Sequence, residues 1–323
     1  MSRLDETVFV EAPGRLHFGV LDLGGTLGRW FGGIGAAAPV PPLLVSAAPS
    51  ASAELVCEGD DSARALAFAT RFLQHRGIGA GARLRVHRAL PRHAGLGSGT
   101  QLALAVARAL AELHGTDAGV ASLAEAVGRT RRSGVGVWVF DGGGFVLEGG
   151  RRPDTLVAPL LTRLPFPASW RAVVAIPPGA GSLSGHAEES AFDRLAPTSA
   201  NDAERVAHQV LMALLPALVE GDLAAFGTAL GAIQQITGHW FAPVQGGVFA
   251  RASQPLVDRL STLGACGVGQ SSWGPAVYGI VEGDARARAL VDALTAGLGG
   301  DAAVYAGPFR TEGARVWREH ALP

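Results

Sequence analysis

Residues 90–110, "LPRHAGLGSGTQLALAVARAL", place three glycines within five positions and then run into an unbroken apolar helix. A helix N-terminus presents unpaired backbone N–H groups and about half a positive charge, so a loop that leaves it bare makes an anion site. Glycine permits the close approach. Gly95, Gly97 and Gly99 alternate with Leu96 and Ser98, and Ser98, Thr100 and Gln101 add side-chain donors where the helix begins. The stretch also reads as a tight strand-to-helix turn needing positive φ. Neither common phosphate fingerprint fits, because GxGxxG is absent and the chain has no lysine for a Walker loop.

That missing lysine prunes the chemistry further. The 27 residues counted as Lys+Arg are all arginine, which removes Schiff-base catalysis. With 323 residues, 48% hydrophobic and 17% charged, the chain can bury a large core in one large or two ordinary domains. A formal charge of −1 with acids and bases dispersed argues against a nucleic-acid partner. Cys57 and Cys266 stand far apart without metal-type spacing, as reduced thiols would. No apolar run reaches the length of a membrane span, and the expected location is the cytoplasm.

Along the chain, strands are expected at 7–13, 82–90, 171–179, 276–283 and 302–307, with helices at 98–114, 119–129, 200–219, 222–238, 252–264 and 284–298. "GVGVWVFDGGGFVLEGG" at 134–150 reads as two strands around a glycine loop. The proline-rich stretch 151–170 marks a domain boundary, giving domains 1–165 and 166–323 in an α+β chain.

Two further segments carry polar groups in apolar surroundings. "APGRLHFGVLDLGG" at 12–25 brings Arg15, His17 and Asp22 to a strand end, and "GVGQSSWGPAVYGIV" at 267–281 supplies Gln270, Ser271 and Ser272 in a glycine-rich turn. Three such loops in this order resemble the GHMP superfamily, whose P-x3-GLGSS motif stands here as "PRHAGLGSGT" at 91–100. Superfamily kinases that use a catalytic aspartate carry it in a pattern like SG-x-D; "RRSGVGVWVF" has Gly136 at that place. Together with "RSGVG", "LSGHAEESAF" at 183–192, "WFAPVQGG" at 240–247 and "GVGQSSWGP", these motifs resemble the β-ribofuranosylaminobenzene 5′-phosphate synthase family over residues 12–282.

The resemblance implies a two-domain GHMP-kinase-like fold with the active site in the interdomain cleft. It also implies a homodimer, use of Mg2+, and condensation of phosphoribosyl pyrophosphate with 4-aminobenzoate or a related para-substituted benzoate. CO2 and pyrophosphate would leave, on the way to tetrahydromethanopterin. In that reading Gly95, Gly97, Ser98, Gly99, Thr100, Gln270, Ser271 and Ser272 bind the phosphates. Arg15, Arg132, Ser133 and Gln245 hold the aromatic substrate, and His17, Asp22 and Glu188 are the catalytic candidates. Each has a plainer alternative: a hydrogen-bonded core histidine, a turn carboxylate, a helix-dipole partner, an exposed arginine. An ATP-dependent small-molecule kinase of the same superfamily, and a binding protein that has lost catalysis, are the competing functions.

Overall fold

The computed structural model describes residues 6–50, 52–129, 132–179, 190–192, 194–195, 198–299 and 302–320. A five-stranded sheet takes the order β13-β1-β4-β6-β5, built from β1 (Glu6–Ala12), β4 (Leu43–Pro49), β5 (Leu55–Gly59), β6 (Ala82–Arg88) and β13 (Arg315–His320). Its pairs are antiparallel except β5 with β6. Strand β6 alternates buried and exposed residues over "ARLRV", the period expected of a strand with one wet face. Helices α1 (Ser62–Arg76) and α2 (Ser98–Leu113) cover the dry face.

Ten of the sixteen residues of α2 are buried, six of them alanines or valines. A helix apolar all round needs cover on every side, and small side chains let that cover come close. It lies between the large sheet and helix α4 (Val135–Gly142), whose far side meets the second sheet. That antiparallel sheet has the order β2-β3-β7-β8, from β2 (Arg15–Asp22), β3 (Phe31–Ala37), β7 (Phe145–Glu148) and β8 (Leu160–Leu164). Between α2 and α4 runs the short α3 (Val120–Ala126).

Residues 135–142 correct the two-strand expectation for 134–150. Valine-rich sequence favours strands only weakly, and tertiary burial decides here. Val135, Val137, Val139 and Phe140 are all buried, and Trp138 Nε1 donates to the Ala158 carbonyl at 2.8 Å. Only 145–148 remains a strand.

The second half opens with β9 (Trp170–Ile176) and continues through α5 (Ala200–Gln209), a π-helical turn at Val210–Leu214, and α6 (Leu215–Glu220). Then come α7 (Leu223–Gln245), α8 (Gln254–Thr262), β10 (Cys266–Gln270), β11 (Val277–Glu282), α9 (Asp284–Thr295) and β12 (Ala303–Pro308). The strands form an antiparallel sheet in the order β10-β11-β9-β12. Helix α7 runs seven residues beyond the expected 238 and carries Pro243 in its last turn, so the "WFAPVQ" stretch is helical.

The expected split at 165/166 falls between β8 and β9, but β13 returns to pair with β1, so the C-terminal segment completes the N-terminal sheet. The halves also share one apolar core, in which Phe18 of β2 meets Tyr278 of β11 with ring centres 5.0 Å apart. Among the described residues no helix is long and apolar enough to cross a membrane.

Candidate active site

Gly97 caps α2 with φ 75°, a left-handed conformation that glycine alone adopts without strain. The N–H groups of Thr100 and Gln101 both bond the Gly97 carbonyl, while those of Ser98 and Gly99 have no partner among the described residues. Space decides the glycines as much as φ does. A Cβ on Gly97 would stand 2.8 Å from Arg15 Cγ, and one on Gly99 2.8 Å from Arg64 Nη2 and 3.1 Å from Arg129 Nη2. Three arginines therefore crowd the positive end of a buried helix, an arrangement that lowers its energy by taking an anion. Gly95 has a different duty: its carbonyl accepts from Arg15 Nη1 and from the Ser271 hydroxyl, at 2.6 Å for the latter. A side chain there would strike the 271–274 backbone, so Gly95 serves packing rather than an anion.

A cavity of about 230 Å3 opens beside this helix mouth, between β2 with Gly128, Arg129, Arg132 and Ser133 on one side and α7 and the 270–273 loop on the other. Of the expected phosphate loop, Thr100 alone is in its wall; Arg15, His17, Arg129, Arg132 and Ser133 join it. The opposite wall is aromatic. Phe241 and Trp273 pack edge to face at 4.7 Å, and Phe192 stands 5.4 Å from Trp273 and 6.0 Å from Phe241. The Arg132 guanidinium lies over the Phe192 ring at 4.6 Å, which places a carboxylate-binding cation against a flat apolar slot.

The polar residues of the 270–272 turn are mostly committed to each other. Gln270 donates to Gln245 Oε1 at 3.1 Å and to the Ser272 carbonyl at 2.9 Å, and accepts from the Ala250 N–H at 2.8 Å. Gln245 spends its own amide on the carbonyls of Gly247 and Val248. Ser271, wholly buried, donates to Gly95 and accepts the His17 N–H at 2.9 Å. Gln245 and Gln270 line the cavity with their amides bonded to each other and to backbone, whereas Ser271 lies outside its wall and braces it. Ser272, at φ 57°, does line it. Gln234, absent from the sequence-based expectation, ties the halves together by donating to the Phe18 carbonyl and accepting from the Gln270 N–H.

Asp22 is likewise reassigned. Its Oδ1 accepts the N–H groups of Gly24 at 2.6 Å and Gly25 at 3.0 Å and the Thr198 hydroxyl at 3.2 Å, which closes the turn after β2; it is outside the cavity wall. Glu188 lies outside the described residues.

His17 reaches the cavity from β2, and its Nε2 lies 3.1 Å from Ser133 Oγ. Burial, with a smaller push from Arg15, lowers its pKa from 6.5 to about 3, so the ring is neutral. Ser133 in turn donates to Glu148 Oε1 at 3.3 Å. Glu148 was not anticipated, although a carboxylate among the apolar residues of "FVLE" is itself a signal. Burial raises its pKa from 4.5 to about 7 against the bonds from Gly150, Gly134 and Ser133.

Gly136 sits in the first turn of α4, where its carbonyl accepts from Gln101 Nε2 at 2.8 Å and an added Cβ would come 3.2 Å from Thr100 Cγ2. An aspartate there would crowd the Thr100 side chain.

Two α+β halves around a helix mouth lined with arginine define a GHMP-type protein. Residues 63–141 match the GHMP kinases N terminal domain and residues 214–299 the GHMP kinases C terminal domain. The fold superposes on a homoserine kinase from Cytophaga hutchinsonii with a TM-score of 0.72 at 19% identity, covering 98% of this chain and 99% of that one. Beta-ribofuranosylphenol 5′-phosphate synthase of Methanothermobacter thermautotrophicus is 35% identical over 295 residues, 85% of this chain and 89% of that protein. Its counterpart from Archaeoglobus fulgidus is 36% identical over 288 residues, 85% and 88% of the two. The chain belongs to this synthase family.

Proposed function

We propose that the protein joins the anomeric carbon of phosphoribosyl pyrophosphate to the carboxyl-bearing ring carbon of a para-substituted benzoate. The observation that carries this is that one cavity meets the N-terminus of α2 at Thr100, with Arg15 and Arg129 beside it, and also an aromatic wall with its own arginine, Arg132. Pyrophosphate leaves with the electrons of the C1–O bond, and the departing charge falls to the α2 N-terminus, Arg15 and Arg129. The ring carbon attacks C1, and the electrons of its bond to the carboxylate restore aromaticity as CO2 departs. No proton is needed, so the balance closes without a general base.

A para amine or hydroxyl feeds electron density to the attacking carbon. The archaeal relatives' names contain a phenol, which makes 4-hydroxybenzoate a candidate beside 4-aminobenzoate. Among the described residues no carboxylate lines the cavity, and no three His, Cys, Asp or Glu side chains gather as a cation site. These donors do not fit Mg2+. The arginines and the helix end are the counter-charge for the diphosphate in this reading.

The test is release of labelled CO2 from each carboxyl-labelled benzoate, with and without phosphoribosyl pyrophosphate, beside ADP formation from ATP with small alcohols. CO2 release that requires phosphoribosyl pyrophosphate is the expected result. ADP without CO2 would overturn it in favour of a kinase, against the crowding at Gly136.

A further inference from the structure

Glu148 is fully buried on β7, in a strand whose other residues are apolar. Two of its partners are backbone: the Gly134 N–H at 3.0 Å on Oε1 and the Gly150 N–H at 2.9 Å on Oε2. These hold the carboxyl still. The third is the Ser133 hydroxyl, whose Oγ also accepts the Val135 N–H at 3.2 Å and lies 3.1 Å from His17 Nε2. A line of hydrogen bonds therefore runs from a buried carboxyl to a ring in the cavity wall. His17 Nδ1 has no partner among the described residues.

Proton counting fixes what this line does. Serine has one hydroxyl proton to give. With Glu148 ionised, that proton must point at the carboxylate, so Ser133 accepts from His17, the ring carries its proton on Nε2, and Nδ1 is an acceptor. With Glu148 protonated, its O–H donates to Ser133, Ser133 donates to Nε2, and the ring proton moves to Nδ1.

We infer that Glu148 is a positioning residue, which through Ser133 sets whether His17 offers the cavity a hydrogen-bond acceptor or a donor. This deepens the proposed function and rests on the cavity being its substrate site. A para amine or hydroxyl and the ribose hydroxyls are all donors, so the ionised state is the one that matches the ligand.

His17 stays neutral across this range, and Glu148 is the member of the line that changes charge near neutrality. The other charged side chains on neighbouring elements are Arg15 and Asp22 on β2, Arg29 before β3, Arg132 beside Ser133 and Arg151 after β7. Asp141 of α4 is paired with Arg163 of β8 at 2.9 Å.

The test is histidine 15N NMR of the full chain without substrate, between about pH 8.5 and 5.5. The His17 resonances are assigned among the nine histidines by their loss in His17→Asn. The expected result is a neutral ring that passes from the Nε2–H to the Nδ1–H form with a midpoint near 7. In Glu148→Gln the side chain no longer titrates, so the ring holds a single tautomer at every pH. In Ser133→Ala, which keeps both backbone bonds to Glu148, the transition disappears. A single tautomer throughout the wild type, or an unchanged transition in either variant, overturns the inference. In turnover, Glu148→Gln lowers kcat about 10- to 100-fold, with KM for phosphoribosyl pyrophosphate unchanged and the acid limb of the pH profile gone. Loss of activity with that limb retained marks a merely structural carboxyl. Because the NMR needs no substrate, a tautomer switch without CO2 release would sink the proposed reaction and leave this inference standing.

Discussion

One end of the cavity is the mouth of α2 with its backbone N–H groups and the arginines from other elements that crowd it, the groups proposed to hold the diphosphate; at the other, three aromatic rings come from residues 192, 241 and 273. The first end depends on two glycines whose Cβ atoms would collide with the very arginines that serve it. The second depends on side-chain packing that several neighbours share. Function at the helix mouth is therefore brittle, and at the aromatic wall graded.

The sharpest break is Gly97→Ala. It places an alanine at φ 75° and drives its methyl into the Arg15 stem, disturbing a backbone donor and a cation together. kcat/KM for phosphoribosyl pyrophosphate should fall about 10²- to 10³-fold, the usual cost of a lost preorganised donor. Initial rates against that substrate check it. Rates equal to wild type would mean that the diphosphate binds elsewhere.

Acidity separates the ends next. His17 has its folded pKa lowered from 6.5 to about 3, so the stability tied to its neutral form is lost as pH falls below 6.5. Glu148 has its pKa raised from 4.5 to about 7, so its contribution is present in acid and lost as pH rises from 4.5 through 7. Between 4.5 and 6.5 the two slopes oppose each other, and the wild type is nearly flat from this source. His17→Asn removes one of them. Its stability relative to wild type should rise by about 1.4 kcal/mol per unit as pH falls below 6.5, measured by urea unfolding at a series of pH values. A pH-independent difference would show that the ring is not held neutral.

The contrast between the ends also explains what could be foreseen from sequence. The helix mouth was legible because Gly95 to Thr100 are contiguous and their spacing carries backbone meaning. The halves of the fold were legible for the same reason, since strand and helix periods are local. Glu148, Arg64 and Arg129 were not, because each reaches the site from its own element and only the packing of α2 against its neighbours brings them there. Gln270 and Gln245 add what sequence does not show: both line the cavity, and the fold bonds their amides to each other and to backbone. The helix at 135–142 was misread because valine propensity is weaker than the demand to cover α2 and the second sheet.

Arg132 joins the two ends, since it lies on the aromatic wall through Phe192 yet lines the cavity beside Arg129 and Ser133. Arg132→Met keeps the stem and removes the fork. KM for the benzoate should rise about 10- to 100-fold, as for a lost charge-assisted pair, while KM for phosphoribosyl pyrophosphate moves little. Equal rises in both would assign this arginine to the phosphate end.

The smallest effect sharpens the comparison most. Phe241→Leu keeps an apolar side chain of similar reach and removes the edge-to-face contact with Trp273, a contact at 4.7 Å. Such pairs contribute about 0.5–1.5 kcal/mol beyond burial, so KM for the benzoate should rise about 2- to 10-fold with kcat nearly unchanged. Trp273→Leu should do the same, and the double variant should cost less than the two single costs combined, because one contact is removed twice. Additive losses would mean that each ring meets the substrate independently, and the wall would then be two contacts rather than one packed surface. A fall in kcat instead would move Phe241 from holding the ring to shaping the transition state, and the division between a brittle end and a graded end would no longer hold.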